Sequence, residues 1–375
     1  MFFMTYDNKT LKYHCKPGKG WVNDPNGLCE YGGYYHLFYQ HAREAIRPWK
    51  ESVSWGHART KDFLTFEELP EALIPGDRGD YDSFGCWSGT ACEKDGRLYL
   101  YYASVKLLPN GDDVQTISVA YSEDGVHFEK YPGNPVIDRF PAEGCRDFRD
   151  PAVLCEGEKA WLVIASANGE HTVGRLLLYE SADMLAWEYR GILAEYPGCK
   201  YCECPSFLRL ADGRYLLACS VEENGSGAKH FYTRVGAFDG RDFVPELCAE
   251  PQKGPDQYAG QLFADKRGRI MLVSWIPGWR YAHTFENCVG CMSLPMQVRI
   301  DGGGIKLFPP EECAPLLCDS DPALERHENG FAIRREREPD IVCDCETKDI
   351  KLLRDGYILE VFVNGGERVY TAMLV

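Results

Sequence analysis

Short apolar runs that follow polar turns recur five times along the chain. Their starts are separated by 64, 62, 54 and 55 residues, at Tyr35, Tyr99, Trp161, Tyr215 and Ile270. Each run is too short for a helix and is rich in Tyr, Val, Ile and Trp, a composition that favours β-strands. A recurrence of this length indicates a repeat architecture.

A second signal follows the first four runs, after one more amphipathic strand. In each case an acidic or glycine-containing turn leads to a buried aromatic residue at the start of a last strand, over residues 61–66, 122–128, 181–187 and 238–243. One repeat therefore contains about four strands joined by tight turns. Five such antiparallel units predict an all-β chain folded as a five-bladed β-propeller over residues 1–308.

The pattern changes after Ile305. Pro309 and Pro310 predict a turn into a short helix or linker over residues 309–319, and strand-like segments follow Pro322. Asn364 and Gly365, between the last two segments, predict a type I′ hairpin turn. We expect residues 320–375 to form a short C-terminal β module, similar to a truncated β-sandwich. Because it is too small to be stable alone, it should pack on the propeller.

The composition excludes some classes of partner. A hydrophobic fraction of 45% allows a sizeable core, and the net charge of -16 argues against a nucleic acid or an anionic membrane as the main partner. The first residues lack a basic segment followed by a long apolar one, and no apolar run has the length that crosses a bilayer. The 17 cysteines are scattered and odd in number. We therefore expect a protein of the reducing cytoplasm.

Three close cysteine pairs raise the question of a metal: Cys202 with Cys204, Cys288 with Cys291, and Cys343 with Cys345. A structural zinc site commonly takes four ligands from two pairs with a two-residue gap, and only one of these pairs has that gap. Small buried side chains are the simpler interpretation, so we expect no metal.

One position, about eleven residues before each run, is the candidate functional position. It holds Asp24, Trp87-Ser88, Asp150, Glu203 and Tyr258 in the five units. Each run is expected to be the first strand of its unit, with this position just ahead of it. The first strand of a propeller blade lines the central channel, so we expect these positions to converge, with the three carboxylates in the same register.

A lone acidic residue is usually solvated surface, but three carboxylates in one pocket repel one another and separate their pKa values. Such a separation lets one group act as a nucleophile while another carries a proton. Tryptophans and Arg149 stand near these carboxylates in the sequence. Aromatic walls around convergent carboxyl groups suit a sugar ligand.

The segments around the carboxylates resemble a known family. Residues 21–27 read Trp-Val-Asn-Asp-Pro-Asn-Gly, residues 149–151 Arg-Asp-Pro and residues 203–205 Glu-Cys-Pro. They are similar, in the same order, to the three signature motifs of glycoside hydrolase family 32, which comprises invertases, sucrose-6-phosphate hydrolases, levanases and inulinases. Supporting segments at 35–40, 54–58, 87–91, 258–261 and 292–295 extend the resemblance over essentially the whole chain.

The resemblance implies a retaining β-fructofuranosidase that acts on a small carbohydrate without a cofactor or a metal. Position by position, it makes Asp24 the nucleophile, Glu203 the general acid and then the base, and Asp150 the group that stabilises the oxocarbenium-like transition state. The remaining candidates would build the fructose pocket: Asn23, Gln40, Trp49, Trp87, Ser88 and Arg149.

The chain also departs from the family pattern. Its C-terminal module is shorter than the usual β-sandwich, Ser206 stands where the family often has Asp, and Ser226 stands where sucrose-preferring members place an acidic partner for Lys229. The leaving group and the oligomeric state, monomer or homo-oligomer, therefore stay open.

Other functions use part of the same pattern. A fructosyltransferase would use the same residues as the hydrolase. A catalytically silent fructoside-binding propeller would be expected to have lost Asp24 or Glu203, and both are present. An arabinanase-like propeller would share the three carboxylates but not residues 23–27. A protein-interaction propeller would show Trp-Asp repeat signatures, which the sequence lacks.

Overall fold

The computed structural model describes residues 11–45, 52–277, 287–301 and 303–375. Within these ranges, five mainly antiparallel sheets follow one another along the chain. The first strand of each sheet contacts the first strand of the next, and the first strand of the fifth sheet contacts that of the first. This closed ring of sheets confirms the predicted five-bladed β-propeller.

Blades 1 to 3 each contain four strands in chain order. Blade 1 consists of β1 (Gly20–Tyr31), β2 (Tyr34–Ala42), β3 (Ser54–Thr60) and β4 (Phe66–Leu73). Blade 2 consists of β5 (Gly85–Lys94), β6 (Arg97–Leu107), β7 (Asp113–Ser122) and β8 (Glu129–Lys130). Blade 3 consists of β9 (Arg149–Glu156), β10 (Lys159–Ala167), β11 (Val173–Ser181) and β12 (Glu188–Pro197).

Blades 4 and 5 complete the ring. Blade 4 consists of β13 (Cys199–Arg209), β14 (Tyr215–Glu223), β15 (Lys229–Phe238) and β16 (Phe243–Ala249). Blade 5 contains β17 (Tyr258–Ala264), β18 (Ile270–Ile276), β21 (Met296–Asp301) and β22 (Gly304–Phe308). Two short strands connect blade 5 to blade 1: β19 (Cys288–Val289) pairs with β1, and β20 (Cys291–Met292) pairs with β18.

The repeated apolar runs form the second strand of each blade, not the first as the sequence suggested. The second strand lies between two neighbours in the sheet, and residues 35–42 of β2 are buried without interruption, so it reads as a continuous apolar run. The first strand carries the polar candidate residues except Gln40, which lies on β2. Its apolar pattern is therefore interrupted, and the Asn-Asp-Pro-Asn-Gly segment, which alone reads as a turn, lies inside β1.

The second sequence signal lies between the third and fourth strands of blades 1 to 4. In each blade one aspartate accepts hydrogen bonds from the two backbone N–H groups that follow it closely: Asp62, Asp124, Asp183 and Asp239. These Asx turns explain why the signal recurs. The aromatic residue after the turn is only partly buried in blades 1 to 3 and fully buried, as Phe243, in blade 4.

The apolar core is divided among the spaces between neighbouring blades. Separate clusters of buried side chains fill the contacts of blade 1 with blade 5 and blade 2, of blade 3 with blade 2 and blade 4, and of blade 4 with blade 5. Because each blade packs on both neighbours, the ring holds the five first strands at fixed positions around the channel.

The chain after the propeller forms a 3-10 helix (Glu311–Leu316) and two three-stranded sheets. One sheet contains β23 (Leu324–His327), β24 (Gly330–Ile333) and β25 (Ile341–Asp344), and the other contains β26 (Ile350–Asp355), β27 (Ile358–Val363) and β28 (Arg368–Met373). Asn364 and Gly365 both have positive φ, as a type I′ turn requires.

The two small sheets share an apolar core, and the second sheet also packs on the propeller through Leu353, Phe362 and Val369. The domain limits at 308 and 319 stay predictions. Among the residues described above, none forms a helix with the length and apolarity that a membrane crossing needs.

Candidate active site

The first strands of all five blades contain a β-bulge at the same place. In each, one extra residue enters the ladder to the second strand, after Val22, Cys86, Arg149, Glu203 and Tyr258. A bulge interrupts the alternation of side chains between the two faces of a strand. Consecutive residues can therefore face the channel, and Asn23 with Asp24, Trp87 with Ser88, and Arg149 with Asp150 all line one pocket.

The bulges also correct the expectation that the three carboxylates share a register. Glu203 precedes its bulge, Asp150 is the first residue inside its bulge, and Asp24 is the second. The residue that matches Asp150 in blade 4 is Cys204, and both have positive φ, of 55° and 47°. The carboxylates converge because each bulge directs a different position toward the channel.

Asp24 is held by side chains of two other strands. Ser88 Oγ donates a hydrogen bond of 2.6 Å to Asp24 Oδ2, and Gln40 Nε2 donates one of 2.6 Å to Ser88 Oγ. Cys204 Sγ donates to the same carboxylate oxygen over 3.5 Å and lies 3.7 Å from Asp150 Oδ2. These contacts fix the Asp24 carboxyl while leaving it partly exposed to the pocket.

Arg149 joins the remaining carboxylates. Its Nη2 donates a hydrogen bond of 2.9 Å to Glu203 Oε1, its Nη1 donates one of 2.6 Å to Asp147 Oδ1, and its Nε lies 4.0 Å from Asp150 Oδ2. Tyr258 Oη donates to the other oxygen of Glu203 over 2.5 Å. Both oxygens of Glu203 are therefore oriented by the neighbouring blades.

Electrostatic repulsion and burial act on the two aspartates. Burial, followed by the charges of Asp150 and Glu203, raises the pKa of Asp24 to about 7, although the hydrogen bond from Ser88 opposes this shift. Burial also raises the pKa of Asp150 to about 6, with Arg149 opposing and Glu203 reinforcing the shift. Near pH 7 Asp24 is therefore about half protonated, whereas Asp150 is mostly ionised.

The pocket has a volume of about 1040 Å³, enough for a disaccharide or a short oligosaccharide. Its walls contain the aromatic rings of Trp21, Trp87 and Trp275. Asn23 Oδ1 and Gln40 Oε1 are buried acceptors, and neither finds a hydrogen-bond partner among the residues that the structure describes. Buried amide oxygens of this kind are normally satisfied, so a hydroxyl-bearing ligand would supply what they lack.

One predicted pocket residue, Trp49, lies outside the described residues. The other eight candidates all line this pocket: Asn23, Asp24, Gln40, Trp87, Ser88, Arg149, Asp150 and Glu203. Their catalytic and binding roles remain predictions.

Beside Lys229, the structure adds two polar residues at the pocket, Glu222 and Tyr201, that sequence reasoning missed. Lys229 Nζ donates a hydrogen bond of 2.8 Å to Glu222 Oε2, and Tyr201 Oη donates one of 3.0 Å to the same oxygen. The acidic partner of Lys229 is thus Glu222, seven residues earlier on the paired strand, and not a residue at position 226. Ser206 accepts a hydrogen bond from the backbone of Leu262 and is not among the pocket residues.

The family profile described as "Glycosyl hydrolases family 32 N-terminal domain" matches residues 14–309, which include all five blades and every candidate site residue. The chain belongs to glycosyl hydrolase family 32.

Over the aligned residues, curated relatives are about one third identical to the chain. A sucrose-6-phosphate hydrolase of Escherichia coli is 33% identical over 322 residues, which cover 81% of this chain and 65% of that protein. A levanase of Bacillus subtilis is 35% identical over 318 residues, which cover 77% of this chain and 44% of the levanase. The chain thus spans less than two thirds of the length of these family-32 proteins.

Solved family-32 structures share the fold over nearly the whole chain. The GH32 beta-fructofuranosidase of Bombyx mori superposes with a TM-score of 0.82 at 26% identity, covering 98% of this chain and 89% of that structure. Fructan 1-exohydrolase IIa of Cichorium intybus gives a TM-score of 0.80 at 18% identity, covering 99% and 92%, and shows the fold alone.

Proposed function

We propose that this family-32 chain is a glycoside hydrolase that releases fructose from β-fructofuranosides by double displacement with retention of configuration. The observation that carries the proposal is the convergence of Asp24, Asp150 and Glu203, from three different blades, on one pocket with Arg149. Paired carboxyl groups are the machinery of retaining glycoside hydrolysis. The names of the curated relatives, which include sucrose-6-phosphate hydrolases, a raffinose invertase and a levanase, agree with this class of substrate.

In the first step, Asp24 attacks the anomeric carbon of the fructosyl group, the bond to the leaving group breaks, and Glu203 gives a proton to the departing oxygen. The raised pKa of Asp24 reflects first its burial and then repulsion by Asp150 and Glu203. Formation of a bond to Asp24 removes its negative charge, so this repulsion falls as the covalent intermediate forms. The positive charge of the oxocarbenium-like transition state is stabilised by the same carboxylates.

In the second step, Glu203 accepts a proton from a water molecule, which attacks the anomeric carbon and frees Asp24. Arg149 and Tyr258 hold the two oxygens of Glu203, so the side chain keeps one orientation through both steps. In this proposal Asp150 and the buried amides of Asn23 and Gln40 bind the hydroxyl groups of fructose.

The leaving group would meet two charged side chains at the rim of the pocket. Lys229 lies 4.3 Å above the ring of Tyr258 and pairs with Glu222, so one positive and one negative side chain stand at the pocket entrance. A neutral or a singly phosphorylated leaving group can meet this pair. We propose a small fructoside substrate and a reducing compartment, the latter because all 17 cysteines are free.

The test is fructose release from sucrose, sucrose 6-phosphate, kestose, inulin and levan by the purified chain. We expect release from at least one of them, and loss of release in Asp24→Ala and Glu203→Gln. Glu123→Gln and Asp138→Ala change exposed carboxyls that do not line the pocket, and they serve as matched controls. If the intact chain binds fructosides but cleaves none, the proposal is wrong and the pocket is a binding site. Chromatography of the products separates hydrolysis from transfer to a second sugar.

A further inference from the structure

Two loops of blade 3 bring a thiol, a carboxylate and an imidazole together beside the pocket. Cys145 and Asp147 precede β9, and His171 lies in the turn between β10 and β11. One potential ligand atom from each lies within 4.8 Å of the other two, and Asp147 Oδ2 is 3.5 Å from His171 Nδ1. Sequence reasoning missed this group because it examined cysteine pairs, and these residues are separated by 26 positions.

The chemistry of the three side chains favours zinc. Sulfur, nitrogen and carboxylate oxygen are the donors of tetrahedral Zn²⁺, whereas Mg²⁺ and Ca²⁺ take oxygen donors. Bonds of about 2.0–2.3 Å in a tetrahedron separate the donor atoms by roughly 3.3–3.8 Å, which includes the distance between Asp147 and His171. We propose that Cys145, Asp147 and His171 form a zinc site with a fourth position open to water.

The three donor atoms are available for a metal. His171 Nδ1 is buried and has no hydrogen-bond partner within the described part of the chain. Among the residues that the structure describes, Cys145 Sγ makes only long contacts, of 3.8 Å to Ser166 Oγ and to the Asp147 carbonyl oxygen. Asp147 Oδ1 accepts a hydrogen bond from Arg149, and Asp147 Oδ2 faces His171 Nδ1. Zinc binding would displace the Cys145 thiol proton to solvent and leave the Arg149 hydrogen bond in place.

The backbone of the site is held without a metal. Asn224 Nδ2 donates a hydrogen bond of 2.8 Å to the His171 carbonyl, and the Cys145 N–H donates one of 3.2 Å to Ser166 Oγ. Cys145 is buried, but a third of the His171 side chain is exposed, so an ion can enter from that side. A preformed backbone lowers the ordering cost of binding.

The site shares Asp147 with Arg149, which in turn holds Glu203. Zinc on Oδ2 draws negative charge away from the oxygen that Arg149 contacts. Arg149 then pairs more strongly with Glu203 and hinders the proton transfers proposed for that side chain. We therefore expect the loaded protein to hydrolyse fructosides several-fold more slowly. This consequence rests on the proposed function, whereas zinc binding itself does not.

The experiment titrates the chelator-treated full chain with Zn²⁺ by calorimetry and with Co²⁺ by absorption. The intact chain should bind one ion and, with Co²⁺, show a thiolate-to-metal charge-transfer band. Cys145→Ser should lose the band, and His171→Ala, at a partly exposed position, should weaken binding at least tenfold while its thermal unfolding stays unchanged.

Matched controls are Cys92→Ser, which changes a thiol 3.3 Å from Cys155, and His127→Ala, which changes an exposed histidine beside Asp124. Both should bind as the intact chain does. Equal binding by His171→Ala and the intact chain, or a band that persists in Cys145→Ser and disappears in Cys92→Ser, would overturn the site. If zinc binds but fructose release is unchanged, the inhibitory consequence is wrong. If neither the intact chain nor any variant releases fructose, the proposed function is wrong, but the metal titrations still test the zinc site.

Discussion

Asp24 in the pocket and Asp355 at the junction of propeller and C-terminal module are carboxyl groups in opposite electrostatic settings. The pKa of Asp24 is raised to about 7, and that of Asp355 is lowered to about 2. Burial opposes ionisation at both. At Asp24 the neighbouring charges are two more carboxylates, whereas at Asp355 a buried histidine donates a hydrogen bond of 2.9 Å.

The junction cluster consists of His14, Asp355 and Glu360. Besides the His14 ring, Asp355 accepts hydrogen bonds from three successive backbone N–H groups, those of residues 12–14. Glu360 Oε1 lies 3.6 Å from His14 Nε2. Burial by itself lowers the pKa of His14, but the two carboxyl neighbours raise it to about 9.

The pocket carboxylates are arranged for the proposed function, whereas the junction cluster contributes to stability. The pocket collects like charges that destabilise the free protein and that, in the proposed reaction, stabilise a cationic transition state. The junction pairs opposite charges and ties the N-terminal segment to the last sheet. Four measurements test this contrast.

The largest effect is expected at the proposed nucleophile. Asp24→Asn should lower fructose release by roughly 10⁴-fold or more, because the covalent route is lost. Thermal unfolding should occur at the same or a higher temperature, because a repelled carboxylate is replaced by a neutral group of the same shape. A lower unfolding temperature would contradict the claim that the pocket charges cost stability.

At the junction we expect a large loss of stability and little change in catalysis, the opposite of the result at Asp24. Asp355→Ala leaves buried His14 and three backbone N–H groups without their acceptor, so the free energy of unfolding should fall by about 3–5 kcal/mol. The KM for fructose release by the folded Asp355→Ala protein should equal that of the intact chain, because Asp355 does not line the pocket. Urea unfolding measures the loss, and Asp301→Ala, at an exposed position, should change stability by about 0.5 kcal/mol or less. Equal losses in both variants would remove the special role of the junction.

The junction also predicts a pH window. The raised pKa of His14 gives stability that is full below about 6.5 and is lost as the pH rises through about 9. The lowered pKa of Asp355 gives stability that is full above about 3.8 and is lost as the pH falls through about 2. The difference in unfolding temperature between the intact chain and Asp355→Ala should therefore be largest between about pH 4 and 6.5 and shrink above pH 9. A difference independent of pH would contradict this assignment.

The smallest effect concerns the pH dependence of catalysis. Activity should fall as the pH drops through about 7, because a protonated Asp24 cannot act as the proposed nucleophile. The hydrogen bond from Ser88 favours the ionised carboxylate, so Ser88→Ala should move this limb of the kcat/KM profile upward by roughly one pH unit. Ser104→Ala, which removes a buried hydroxyl that bonds to Thr116 and Ser118, should leave the limb in place. A shift in both variants would indicate a general disturbance of blade 2.

The sequence by itself determined the number of blades and their strands and turns, because these depend on local patterns of apolar residues, glycine and aspartate. The resemblance to family 32 pointed to the residues of the three motifs. Tertiary structure alone decided which strand of each blade holds the site. It also decided the different bulge positions of Asp24, Asp150 and Glu203, the pairing of Lys229 with Glu222, and the contact of Tyr258 with Glu203. A bulge changes which face a residue occupies without changing the composition of its strand, and residues far apart in sequence meet only after the ring has closed. Their distances and charges, and hence the pKa values of the pocket, therefore follow from the folded chain.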